Sequence, residues 1–533
     1  MTLEEIHSQG FKFYTEKNFD AALKVASKLQ KIDPTYKMGY YLEAAVWKEL
    51  DNTVKEYYAL KKILPLLEFF SPDEKNFAIE ILFHAGGICE KLGLLTEARE
   101  AYALLLQVDD HPKLEHLTNA IFQANSLENF SAEDFQKLYD KYKKYLADIV
   151  PYPRKFYEHK KIRVGFLSAD FYSHPMVVQS WSLLTKLDKN FFETYCYSNV
   201  RKPDKVTERL RAIVDGWRDI LNLTDEAAAK LIRDDEIDIL FDLSGHTNGN
   251  RPRVAAYHPA SVQMSGIGYV NSTGLDCFDY FLSDSTCAGD ETFFTEKVIK
   301  LPHSHFCHEP STGLEPAKNP PCLKNNFVTF GSFNNFRKVT NSILIAWKKI
   351  LDAVPASRLI LKHKIFNTSD GKNFVGEQLK SFGFDLAQID MRPYSANHLV
   401  EYADVDIALD TFPYTGGITT CEALYMGVPV ISLYGKRHGS RFGLSILKNI
   451  GLEELAVDSY DEYINRAVAL AGDWELLTIL RKNLRTMMKK SPLMDSENYL
   501  REIQDAFVKI LDEQKNLWRS ASSEYPKTLF KGH

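Results

Sequence analysis

The residues best suited to chemistry fall in four polar stretches, each placed directly after a short apolar run. The first reads Ser168-Ala-Asp170-Phe-Tyr-Ser-His174-Pro175. Its histidine can act as a base or hold a substrate, and it can equally cap the helix that follows. The second, Ser244-Gly-His246-Thr-Asn-Gly-Asn-Arg251, is a polar, glycine-containing turn able to present backbone N–H groups. The third is Gly331-Ser-Phe-Asn334-Asn335-Phe-Arg337-Lys338, ahead of a helix that opens near Thr340. Two amides and two cations before a helix N-terminus make either a diphosphate site or a solvated surface. The fourth, Asp410-Thr-Phe-Pro-Tyr-Thr-Gly416-Gly417-Ile-Thr419-Thr420-Cys-Glu422, is the most specific. Paired glycines allow close backbone approach, the threonines can cap a helix and bind phosphate, and Glu422 one turn in can take ribose hydroxyls.

Other candidates carry less. Asp404-Val-Asp406 has the spacing of a metal-binding DxD, but it opens a buried strand, where aspartate commonly ends a turn. His303-Ser-His305-Phe-Cys307-His308 lacks the second ligand pair that zinc modules use. Gly266 and Gly268 lack the third Rossmann glycine, and no GxxxxGK[ST] loop occurs. The seven cysteines include no CxxC pair, which argues against a disulfide framework.

The elements that must position these residues follow from periodicity. Segments up to residue 146 are helical, and Ala22, Ala26, Leu29 and Pro34 match the second helix of a tetratricopeptide-type hairpin. A second copy spans 89–110 around Ala98 and Tyr102, with a looser one between, giving about three repeats. Val150-Pro-Tyr-Pro ends this pattern. Strands are then predicted at 162–167, 194–197, 237–243, 262–267, 280–282 and 298–301, with helices between them. After a proline-rich linker the alternation restarts at 327–330, 359–361, 389–391, 405–409 and 430–433. The fold class is therefore α/β: two doubly wound lobes facing one another across a cleft, preceded by an all-α domain. Expected limits are 1–150 for the helices, 151–310 for the first lobe, 311–325 for the linker, 326–515 for the second lobe and 516–533 for a polar tail.

Composition removes several functions. The 65 basic against 71 acidic side chains leave a net charge of −6, without the basic excess of a general nucleic-acid binder. No apolar run approaches the roughly 20 residues of a membrane span, and the first residues carry acids where a signal peptide is basic. A cytoplasmic protein is expected, as a monomer or a homo-oligomer.

With these residues in place, the chain resembles the O-GlcNAc transferase (SPINDLY-like) glycosyltransferase family. The resemblance runs from about residue 161 to 507 and rests on four ordered motifs. These are Ile162-Arg-Val-Gly-Phe-Leu-Ser-Ala-Asp-Phe-Tyr-Ser-His-Pro, Asp242-Leu-Ser-Gly-His-Thr, Phe333-Asn-Asn-Phe-Arg-Lys, and Leu409 through the Gly-Gly-Ile-Thr-Thr-Cys-Glu turn to Pro429. The resemblance implies two Rossmann-like lobes in the GT-B arrangement behind tetratricopeptide helices. It implies that His174 lies near the reacting sugar and acceptor, and that Lys338 neutralises the departing diphosphate. Asn335 would contact the nucleotide, His398 would pack on the uracil, and Gly416, Gly417, Thr419 and Thr420 would form the diphosphate turn. Glu422 would serve the ribose and Arg441 the donor. The implied activity is inverting, metal-independent and cofactor-free transfer of GlcNAc from UDP-GlcNAc to Ser or Thr of a polypeptide held by the helical repeats. The family's usual Gly-Tyr-Pro-Gly-Thr loop reads Gly268-Tyr-Val-Asn-Ser-Thr-Gly274 here, Ser395 stands where animal members have a nucleotide-binding lysine, and Gly417 and Ile418 interrupt their His-Thr-Thr. UDP-glucose with an asparagine acceptor, or GDP-fucose, therefore stay open as donors, as does a non-catalytic helical scaffold. Removing residues 1–145 is expected to spare the donor site, provided the last helix does not cover apolar surface on the first lobe.

Overall fold

Small side chains let the N-terminal helices pair closely. In the computed structural model, which describes residues 1–310 and 313–524, eight helices precede the first strand. They are α1 (Leu3–Thr15), α2 (Phe19–Ile32), α3 (Lys37–Glu49), α4 (Thr53–Ile63), α5 (Lys75–Lys91), α6 (Leu95–Val108), α7 (Leu114–Ala124) and α8 (Ala132–Lys143). Ala22, Ala26 and Ala98 are fully buried, and a Cβ on Gly86 of α5 would lie 2.7 Å from the Tyr102 ring of α6. The array thus has one helical pair more than the repeat pattern predicts. The missed pair, α7 and α8, lacks the small-residue signature: α7 still packs on α6, where Gln123 donates to the Leu95 carbonyl at 3.1 Å, but α8 packs against the first lobe. The long spacing between Ala22 and Ala98 is explained by a 3₁₀ turn, Leu64–Leu66, and a loop inserted before α5.

Beyond the proline break, Val/Ile/Leu/Phe-rich runs form buried strands. The first sheet comprises β1 (Ile162–Ser168), β2 (Phe192–Ser198), β3 (Gly216–Asp219), β4 (Ile239–Asp242), β5 (Val262–Gly266), β6 (Tyr280–Asp284) and β7 (Lys297–Leu301), in the order 3-2-1-4-5-6-7. The second comprises β8 (Thr329–Ser332), β9 (Arg358–Lys362), β10 (Ile389–Arg392), β11 (Ile407–Leu409), β12 (Val430–Leu433) and β13 (Ala456–Val457), in the order 10-9-8-11-12-13. The ladders are parallel, for instance Val164 with Ile239 and Ala408 with Val430. Strands β3 and β13 escape the sequence reading because one is a polar sheet edge, Gly-Trp-Arg-Asp, and the other has two residues.

Strand order reverses direction at β1/β4 in the first lobe and at β8/β11 in the second. Such switch points open a crevice at the carboxyl ends of the strands. The four polar stretches follow these four strands.

One domain limit needs correction. The helix Ser496–Glu524 runs through the expected boundary at 515 without a break. It also returns to the first lobe, where Tyr499, Ile503, Phe507 and Ile510 are buried with Val164, Phe241 and Met264. The apolar face of this helix matches the uncovered side of β1, β4 and β5, so the second lobe's chain ends by completing the first lobe's core. The rest of the predicted tail, 525–533, and the linker's first two residues lie outside the described residues. The proviso on truncation fails: Phe135, Tyr139 and Tyr142 of α8 are fully buried in one core with Tyr269, Leu275 and Cys277 of the first lobe. Tyr139 donates to the Ser272 carbonyl at 3.0 Å.

Candidate active site

The crevice is a cleft of about 760 Å³ whose walls come from both lobes and from α7. From the first lobe come Asp170, His174, Gln179 and His246, from the second Asn335, Lys338, Gly417 and Thr419, and from α7 Asn119 and Phe122.

His174 caps the helix Pro175–Thr185. Proline at the first helical position leaves one fewer backbone N–H to satisfy, and His174 Nδ1 accepts the Met176 N–H at 3.2 Å. With Nδ1 occupied as an acceptor, a neutral ring carries its proton on Nε2. Asp170 lies 3.9 Å from Nδ1. Burial lowers the imidazole pKa, with Asp170 acting in the opposite sense, and burial raises that of the Asp170 carboxyl. The ring is therefore a neutral donor toward the cleft at ordinary pH.

Lys338 ends the 3₁₀ turn Phe336–Lys338, which Asn335 caps by accepting the Arg337 N–H at 3.3 Å. Its ammonium lies 3.7 Å from the centroid of the Tyr414 ring and donates to the Thr415 carbonyl at 3.0 Å. Among the described residues it has no carboxylate in hydrogen-bond contact. Desolvation brings its pKa down to about 7; Asp410 opposes this shift and Arg337 adds to it. A half-buried cation whose charged form burial disfavours gains most when a phosphate pairs with it.

The glycine turn is organised by Asp410, a fully buried carboxylate at the end of β11. Asp410 accepts the Gly416 N–H at 2.7 Å, the Thr411 N–H at 2.8 Å and the Ser432 hydroxyl at 2.7 Å. Burial raises its pKa, while these donors and Lys338 favour the charged form. A Cβ on Gly416 would lie 2.5 Å from Thr420 Oγ1, so no larger residue keeps this turn. Gly417 caps the helix Ile418–Tyr425, and a Cβ there would lie 3.1 Å from Gln179 Nε2 of the opposite lobe. Thr419 lines the cleft and donates to Asn334 Oδ1 at 2.9 Å.

The remaining expected residues divide. His398 and Glu422 meet at 3.1 Å beside the same helix, and the carboxylate raises the imidazole pKa. They do not line the main cleft. Thr420 turns inward: it is buried and donates to the Gly416 carbonyl at 3.1 Å, so it shapes the turn without facing the cleft. Arg441 is also misplaced by the sequence reading. Its guanidinium donates to the Thr286 carbonyl of the first lobe at 2.7 Å and to the Gly435 carbonyl at 2.9 Å, forming a tie between lobes away from the cleft.

Sequence reasoning noted the turn after β4 but gave His246 no role. This ring is fully buried, flanked by Tyr139, Tyr142 and Tyr269, and its Nε2 lies 2.6 Å from the Thr273 carbonyl. Burial lowers its pKa to about 4, so it stays neutral with an Nδ1 that has no partner. Asp410 was missed as the organiser of the glycine turn, although its place directly before that turn was the available signal. The loop from Gly268 to Gly274 is pinned beneath the cleft. A Cβ on Gly268 would lie 1.8 Å from the Leu243 carbonyl, Asn271 donates to Asn125 Oδ1 of the helical domain at 3.1 Å, and the Thr273 N–H donates to Glu296 at 2.8 Å.

The discounted motifs do not converge. Asp404 pairs with Arg392 at 2.7 Å, and Asp406, fully buried, accepts the Cys322 and Thr329 N–H groups at 2.9 and 2.8 Å. His303 pairs with Glu502 at 2.6 Å, and His305 leaves its motif to meet Asp284 at 2.6 Å beside Cys287, a buried trio whose ligand atoms lie within 4.8 Å of one another, away from the cleft.

Two Rossmann-type lobes with a cation and a glycine-rich helix N-terminus across from a cleft histidine define a two-lobed nucleotide-sugar transferase fold. Residues 139–319 and 310–503 match the family described as glycosyl transferase family 41, and the chain belongs to that family. It is 36% identical over 394 residues to the "probable UDP-N-acetylglucosamine–peptide N-acetylglucosaminyltransferase SPINDLY" of Solanum lycopersicum, covering 72% of this chain and 41% of that protein. The corresponding protein of Oryza sativa is 38% identical over 365 residues, covering 67% and 39%. This chain thus spans about two fifths of the length of these plant relatives. A solved mutant of the Thermobaculum terrenum O-GlcNAc transferase is 26% identical, with a TM-score of 0.81 over 96% of this chain and 98% of that one. No helix among the described residues is long and apolar enough to cross a membrane.

Proposed function

We propose that the protein is an inverting glycosyltransferase that moves GlcNAc from UDP-GlcNAc to Ser or Thr of a polypeptide, without a metal ion. One observation carries this reading: Lys338 and the N-terminal turn of the Ile418–Tyr425 helix share the cleft with His174 of the facing lobe. The acceptor oxygen attacks the anomeric carbon as UDP leaves from the opposite side. Charge grows on the departing diphosphate, where Lys338 and the N–H groups behind Gly417 are already placed, so the site needs no bridging cation. His174 orients the acceptor by donating from Nε2, and His246 offers a lone pair on Nδ1. Asp170, the one carboxylate among the described lining residues, takes the acceptor proton directly or through water. The helical array supplies an extended surface for the polypeptide.

A second reading, a GDP-linked sugar such as GDP-fucose, is favoured by the base-binding side. Ser395 stands where animal members have a lysine and donates to Glu401 at 2.6 Å, a carboxylate also paired with Lys362 at 2.6 Å, and Glu422, paired with His398 at 3.1 Å, adds a second carboxylate. Carboxylates pair with the adjacent N–H groups of guanine better than with the carbonyls of uracil. Incubation with a panel of radiolabelled sugar nucleotides and a host lysate tests both. Label transferred to protein from UDP-GlcNAc alone supports the first reading, transfer from GDP-fucose alone the second, and no transfer from any donor the scaffold.

A further inference from the structure

We propose that Arg201 and Lys202 form a docking site for an acidic segment of the polypeptide acceptor. The inference rests on the reading above, in which the second lobe holds the donor diphosphate. Both residues follow β2, line the cleft on the first-lobe wall that carries His174, and are exposed.

Being unpaired inside the cleft sets them apart. Arg251 pairs with Asp225 at 2.6 Å, Arg218 with Asp235 at 2.8 Å and Arg163 with Glu193 at 3.1 Å, and Lys160, Lys161 and Lys205, unpaired among the described residues, do not line the cleft. Arg201 and Lys202 make no ion pair, side-chain hydrogen bond or ring contact among the described residues. The nearest acid in sequence, Asp204, is committed to capping, accepting the Val206 and Ser173 N–H groups at 2.9 Å each.

The charge balance of the cleft says what they await. Four cations line it, Arg201, Lys202, Arg337 and Lys338, against the single carboxylate Asp170 beside His174. A sugar-nucleotide diphosphate carries one charge on each phosphate and is met by Lys338 and Arg337 on the second lobe. The two first-lobe cations remain uncompensated on the acceptor side of the reacting centre. A Ser or Thr flanked by Glu or Asp supplies the missing charge, and unpaired cations at a cleft mouth also steer such a segment inward.

The test measures binding of short fluorescein-labelled serine peptides, flanked by glutamates or by lysines, to the UDP-loaded full chain. Wild type is expected to bind the glutamate peptide about tenfold more tightly at low ionic strength, with the advantage shrinking in high salt. The Arg201→Ala/Lys202→Ala variant should lose the preference, and Arg201→Glu/Lys202→Glu should reverse it. Calorimetry with UDP on the same proteins should be unchanged, which verifies folding and separates this inference from the donor assignment. Equal affinity for both peptides in wild type, or a preference retained by the double alanine variant, overturns the proposal. So does loss of UDP affinity in a folded double variant, which would place these cations on the diphosphate. Tighter binding of a single-stranded oligonucleotide than of the glutamate peptide would reassign the site to nucleic acid. If wild type binds no UDP, the donor assignment fails, and the peptide preference is still read on the free protein.

Discussion

At the scale of single residues, the site depends on one poorly solvated lysine. Lys338→Ala should lower turnover by about 100–1000-fold while changing UDP affinity far less, because the phosphate charge it meets grows mainly in the transition state. Steady-state kinetics with a calorimetric Kd decides this, and a variant keeping a third of wild-type turnover would refute the role. The same lysine makes nucleotide binding depend on pH. In the free protein its pKa lies at about 7, well below the ordinary 10.5. Above that pH the empty site holds a neutral amine, and an arriving diphosphate restores the ammonium, so binding takes up a proton. UDP affinity should therefore fall as pH rises through about 7, in total by no more than Lys338→Ala itself costs in affinity. Calorimetry at pH 8 in buffers of different ionisation enthalpy should show proton uptake that Lys338→Met abolishes.

At the scale of elements, the helical domain is structurally continuous with the lobes. Removing residues 1–145 takes away Phe135, Tyr139 and Tyr142 together. Each large aromatic truncation in a core costs about 3–5 kcal/mol, so the sum reaches the roughly 5–15 kcal/mol that holds a typical domain folded. This truncation should show no cooperative melting. Removing residues 1–33, which carry only α1 and α2, exposes little beyond Leu42 and Val46 and should keep both cooperative melting and UDP binding. Equal melting curves for the two truncations would contradict the packing of α8. The contact between the α5–α6 turn and the lysine turn points the same way: a Cβ on Gly93 would lie 2.9 Å from the Phe336 ring, so the repeats press on the turn that ends in Lys338.

At the scale of the whole molecule, the lobes meet over a cleft whose proposed diphosphate side carries a lysine and a helix N-terminus. UDP should bind equally well in EDTA and in magnesium, and Asp404→Ala should leave that affinity unchanged. Asp406→Ala should instead lower the melting temperature, because it strands two buried N–H groups at about 1–3 kcal/mol each. Loss of UDP binding on adding EDTA would return the Asp404 and Asp406 pair to the site.

The amino-acid sequence by itself determined the order of parts. Apolar period marked the helices and most strands, the prolines after Val150 marked the change of domain, and the polar stretches after β1, β4, β8 and β11 marked the crevice. Those features are local, because a strand's burial and the turn that follows it are written in adjacent residues. The tertiary structure alone decided which polar groups are free to act. Arg441 is consumed by carbonyls of both lobes, Thr420 by its own turn and Asp406 by two distant N–H groups, whereas Arg201 and Lys202 are left unpaired. It also decided that the Ser496–Glu524 helix completes the first lobe and that α8 cannot be cut away. Each of these depends on partners up to hundreds of residues away, and a local pattern gives a side chain's type without naming what will satisfy it.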